Sequence, residues 1–117
     1  MMIYTTEVLG LPIEAKIERM GEDWLVSVVG GCRFHVGSIS TARWNGTEAV
    51  LTKCVLGEHR DDVVGDKYAL ELCNAVKSTV CVVCGIHYDS PGPEGIKKIV
   101  AAADALLSEI MAEILAQ

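Results

Sequence analysis

Residues 35–56 read His35-Val36-Gly37-Ser38-Ile39-Ser40-Thr41-Ala42-Arg43-Trp44-Asn45-Gly46-Thr47-Glu48-Ala49-Val50-Leu51-Thr52-Lys53-Cys54-Val55-Leu56. Two runs with strand-forming residues flank Asn45-Gly46, and both of those residues tolerate the positive φ angles of a two-residue type I′ turn. The stretch therefore predicts a hairpin with strands over 35–44 and 47–56. Such a turn sets Trp44 opposite Thr47 and Arg43 opposite Glu48, a favourable cross-strand charge pair. The same count places His35 opposite Leu56 and Cys32 opposite His59, with a bulge near Gly30-Gly31 able to shift this by one.

Upstream of the hairpin the pattern is all strand. Ile3 to Leu9 reads as a first strand, and in the second Ile13, Ala15 and Ile17 alternate with Glu14, Lys16 and Glu18, the period of a sheet with one wet face. Met20-Gly21-Glu22-Asp23 is a turn, and Trp24 to Val29 a third strand closed by Gly30-Gly31. Downstream the period becomes helical. Asp61 or Asp62 caps a helix to about Lys77, with Ala69, Leu72, Cys73 and Val76 as its buried stripe and Gly65 weakening its first turn. Thr79 to Ile86 is a further strand. Pro91-Gly92-Pro93 then opens a last helix, where prolines fit because first-turn N–H groups have no partner in any case. Ile96, Val100, Ala103, Leu107, Ile110 and Ile114 form its seam, with Ile99, Leu106 and Met111 beside it. That is more apolar width than a small sheet usually covers, so the helix, or an exposed strand edge, is expected to meet a second copy in a homodimer. The expected fold is α+β, a mostly antiparallel sheet in the order β-β-β-β-β-α-β-α covered by two helices, as a single domain over residues 1–117.

Composition limits the function. The chain has 117 residues, 50% of them hydrophobic, which is enough for one core and too few for two. Its net charge is −6 with both signs interspersed, and no basic stripe is present for a phosphate backbone, so nucleic acid is not an expected partner. No apolar run approaches the roughly 20 residues of a membrane span, and the start lacks the features of a signal peptide. A cytoplasmic location with no membrane contact is the expectation. The five cysteines cannot all pair, and most sit among Val and Leu as reduced thiols would. Cys81-Val-Val-Cys84 lies inside a β-branched run, where residues three apart point to opposite faces, which favours a core role over a redox or zinc motif.

The three histidines carry the strongest functional signal. His35, His59 and His87 each sit where a strand begins or ends, in Phe34-His35-Val36-Gly37, Gly57-Glu58-His59-Arg60 and Gly85-Ile86-His87-Tyr88-Asp89. A strand–helix–strand crossover within one sheet makes its two strands parallel, so the ends near Leu56 and Ile86 share an edge with His35. His35, His59, Arg60, His87 and Asp89 then converge where ligands commonly bind, outside the carboxyl ends of such strands. If a metal were held, His35, His59 and His87 would be its ligands, but none shows a tight metal spacing and a metal is not expected. A histidine beside Asp89 suits general-base work, although the sequence places no Ser or Cys as its nucleophile. Against both stands a plain structural role, with histidines that hydrogen-bond loops at the sheet end.

These same segments, in this order and followed by a long C-terminal helix, resemble the small D subunit of gallate decarboxylase, the family of LpdD-like prenylated flavin chaperones. The resemblance covers roughly residues 24 to 114. It implies an accessory protein to a large UbiD-type decarboxylase whose cofactor is prenylated FMN, aiding maturation or cofactor delivery without catalysing the reaction. Carried over by position, His35, Gly37, His59, Arg60, His87 and Asp89 become the residues that would contact prenylated FMN or FMN, with Arg60 available to pair a flavin phosphate. Cys32-Arg33-Phe34 departs from the small or acidic residues expected before His35. Two alternatives use the same features: a small metal-dependent or histidine acid–base enzyme, and an assembly chaperone that binds only protein.

Overall fold

A computed structural model describes residues 1–57 and 60–116. The elements are β1 (Met2–Val8), β2 (Leu11–Met20), β3 (Asp23–Gly31), β4 (Ser38–Trp44), β5 (Ala49–Val55), α1 (Asp62–Val76), β6 (Val80–His87) and α2 (Gly92–Leu115). They match the expected α+β order. One six-stranded sheet runs β1-β2-β3-β6-β4-β5, antiparallel throughout except where β3 and β6 lie parallel.

Alternation in the sequence decides which face is covered. Ile13, Ala15 and Ile17 of β2, Trp24, Val26 and Val28 of β3, and Val80, Val82 and Cys84 of β6 all point to one side and are buried. On that side α1 lies over β4, β5 and β6, and α2 over β1 and β2 against α1. The fully buried Tyr68 of α1 ties the two helices together by donating its hydroxyl to the Ala103 carbonyl of α2 at 2.7 Å. Burial also pushes its phenol pKa up. The opposite face, with Leu25, Val29, Ile39, Cys81 and Val83 half-buried along its middle, carries no helix among the described residues. Cys81 and Cys84 point to opposite faces, and burial raises the Cys84 thiol pKa, so this pair is no redox motif.

The hairpin turn differs from its expected form. Trp44 faces Ala49 and Arg43 faces Val50, so the loop has four residues and the Arg43–Glu48 pairing does not form. Asn45 is the cause. Its side-chain oxygen accepts the N–H groups of both Thr47 and Glu48 at 2.9 Å, an Asx turn that competes with the two-residue loop. Because the register slips by an even number, every side chain keeps its face. In α2, Ile99, Ala103, Leu106, Leu107 and Ile110 are buried within the chain, since the helix beds in the notch between sheet and α1. Much of the apolar width read from the sequence is thus spent internally, while Ile96 stays exposed and Val100, Met111 and Ile114 are half-buried. Among the described residues no helix is long and apolar enough to cross a membrane.

Candidate functional site

The site forms because β6 outlasts its neighbour on one side. β3 stays paired with β6 to Gly31 and His87, whereas β4 begins at Ser38 opposite Cys84. Residues 32–37 cross from β3 to β4 past the end of β6, held by Cys32 N–H to the His87 carbonyl at 2.8 Å and Gly37 N–H to the Cys84 carbonyl at 2.9 Å. Two glycines permit this approach. A Cβ on Gly85 would coincide with the His35 carbonyl, and one on Gly37 with the Asp61 carboxylate.

Asp61, just before α1, fills the place a longer β4 would have taken. Its Oδ1 accepts the Ile86 N–H at 3.0 Å and its Oδ2 lies 3.1 Å from His35 Nε2, with the residue only 6% exposed. Its side chain makes no cap to α1, which corrects the expected capping role. Asp62, the other expected cap, is also buried and holds Arg60 at 3.0 Å and Lys53 at 2.9 Å. These hydrogen bonds, Arg60 first and Lys53 second, bring its pKa down to about 2.

Above this floor lies an open cavity of about 670 Å³. Val64, Ile86, Ile96, Ile99 and Val100 form its apolar wall, while Arg60, Asp61, His87 and Asp89 supply polar groups. His87 Nε2 stands 3.0 Å from Asp89 Oδ1, and this bond, followed by one from Cys32, lowers the Asp89 pKa. Of the residues singled out in the sequence, His87, Asp89 and Arg60 border this cavity. His35 sits on Asp61, Gly37 provides the approach to Asp61, and His59 lies outside the described residues. Arg60 is not the unengaged fork foreseen for a phosphate, because its Nε and Nη2 donate to Asp62 at 3.0 and 3.3 Å.

Two participants escaped the sequence reading. Asp61 was read as a helix cap, the commonest use of such an aspartate, and only the pairing of β6 shows its other role. Cys32, given no role of its own in the sequence, is exposed, and its Sγ lies 3.3 Å from the His87 carbonyl oxygen. The Gly30-Gly31 pair closing a strand is the sequence signal that the chain turns there, and Gly31 does so at a φ of 82°.

The curated Protein LpdD of Lactiplantibacillus plantarum is 25% identical over 117 residues, spanning 98% of this chain and 83% of that protein. A solved structure described as a novel chaperone complex for yeast 20S proteasome assembly shares the fold at a TM-score of 0.50 and 14% identity, over 97% of this chain and 96% of the other. The pattern of the prenylated flavin chaperone LpdD-like domain matches residues 7–115, and the chain belongs to that family.

Proposed function

We propose that this chain is a non-catalytic accessory protein of a UbiD-type, prenylated-FMN-dependent aromatic acid decarboxylase, and that it holds the flavin on its way to that enzyme. The observation that carries this reading is the cavity between the N-terminal ends of α1 and α2. Its volume of about 670 Å³ falls in the range of about 300–1,000 Å³ usual for small-molecule sites, and it joins an apolar wall to a few polar groups. A prenylated flavin has the matching character, with a flat apolar ring system at one end and a phosphate at the other. The Nη1 edge of Arg60 and the imidazole of His87 are the polar partners for that phosphate, while Ile96, Ile99 and Val100 face the rings. His35, Gly37 and Asp61 act beneath, fixing the end of β6 on which His87 stands. Family membership supports the chaperone part of this role, and the named decarboxylase partner, the homodimeric state and a cytoplasmic location belong to the same proposal.

The test is reconstitution. A cognate large subunit matured with this protein should gain flavin occupancy, read by absorbance, and decarboxylase activity, while the isolated chain turns nothing over. Val100→Trp, which fills the cavity from its apolar wall, should abolish flavin-fluorescence quenching and the gain together. A gain that survives without any flavin binding would replace this reading with that of a chaperone binding only protein. Turnover by the isolated chain, lost on chelation, would make it an enzyme.

A further inference from the structure

We propose that Cys32, His87 and Asp89 form a binding site for one divalent transition-metal ion of the zinc type at the rim of the cavity. This goes beyond the flavin reading and does not depend on it. One ligand atom from each residue, a sulfur, an imidazole nitrogen and a carboxylate oxygen, lies within 4.8 Å of the other two. Metal–ligand bonds of about 2.0–2.3 Å in a tetrahedron set the donors roughly 3.3–3.8 Å apart. Rotation of the exposed Cys32 and Asp89 side chains closes the difference, and His87 Nε2 and Asp89 Oδ1 are already 3.0 Å apart.

The backbone holds the three positions together. Gly31 pairs with His87 in the sheet, and the Cys32 N–H donates to the His87 carbonyl, so residue 32 is fixed beside the end of β6. Asp89 follows two residues later in the same turn. A thiolate with an imidazole and a carboxylate is a donor set that suits zinc and disfavours magnesium or calcium. Three protein ligands leave a fourth position for water or for an oxygen of a molecule in the cavity, which His87 and Asp89 both border. The histidine trio foreseen from the sequence is not this set, because His35 is turned onto Asp61.

Cobalt(II) alone is the probe. The purified chain, reduced and stripped with chelator, is titrated with Co²⁺ without oxygen. The expected result is a near-ultraviolet thiolate-to-cobalt band with visible bands of tetrahedral intensity, saturating at one ion per chain and bleached by Zn²⁺. Cys32→Ser should remove the thiolate band, and His87→Ala should weaken binding by more than the roughly 10–100-fold that loss of a supporting group alone causes. Cys54→Ser, at the exposed thiol of β5, should change nothing. Circular dichroism confirms that each variant is folded. No thiolate band in the parent chain, or a band that survives Cys32→Ser, would overturn the proposal.

Discussion

Asp61 and Asp62 are neighbours in the chain, and their carboxylates face different elements. Asp61 looks into the sheet end and satisfies a backbone N–H, whereas Asp62 looks towards β5 and gathers Lys53 and Arg60. Asp62 also gives the fold a pH response. Its carboxyl is held at about 2, below the ordinary 3.8. The stabilisation is therefore complete above the ordinary value and is lost as pH falls from about 4 to about 2. Arg60 and Lys53 reach into solvent, which screens much of the attraction. Asp62→Asn should accordingly lower the melting temperature at pH 7 by roughly 4 °C, and the gap to the parent protein should narrow through that acidic window. Thermal melts from pH 7 to pH 2 measure this. A gap that stayed constant with pH would show that the lost packing, not the charge, was responsible.

Helix α1 docks in two modes, and they were not equally legible. Along its C-terminal half Ala69, Leu72 and Cys73 are buried as their spacing predicts. Its N-terminal half rests on polar contacts, with Ser40 and Lys53 both bonded to Asp66 at 2.8 Å and Gly65 close above Ser38 and Ser40. Gly65, expected to weaken the helix, is what lets it come near. Periodicity reports apolar faces and is silent about a serine and a lysine on two strands meeting one aspartate, so this half could not be read in advance. Tyr68 escaped for a similar reason, since its bond to Ala103 joins helices that no local pattern relates. Tyr68→Phe removes that buried donor and should cost about 1 kcal/mol, with the urea midpoint lowered and the slope unchanged. An unchanged midpoint would mean that the Ala103 carbonyl finds other company. Strand positions, both helices and the shared edge of β5 and β6 were legible, because alternation and crossover geometry are local or nearly universal rules. The turn at Asn45 was not, since one side-chain oxygen decided it.

At the scale of the molecule the asymmetry of the sheet matters most. Both helices lie on one side, and the other presents Leu25, Val29, Ile39, Cys81 and Val83 across its middle strands, with Glu14, Lys16, Glu18 and Arg43 around them. Strands about 4.8 Å apart and about 3.3 Å per residue give this six-stranded face roughly 650 Å² in projection, near the about 800 Å² per partner of a standard interface. A second copy placed face to face would cover the apolar middle and leave the charged margin wet, as two stacked sheets commonly do. Light scattering should therefore report twice the chain mass of 12.6 kDa, and Val83→Glu should return a folded monomer. A monomer in the parent protein, or a dimer indifferent to Val83→Glu, would exclude this face. The place of β6 has a different consequence. It stands between β3 and β4, which the chain made long before it, and pairs Trp24 with Val80 and Ser38 with Cys84. Until residues 80–87 emerge from the ribosome, the three-stranded meander and the hairpin are separate ribbons with raw edges. Completing the sheet therefore waits on a late insertion whose long-range contacts slow it, and a chain halted before residue 80 would carry strand edges of the kind that invite aggregation.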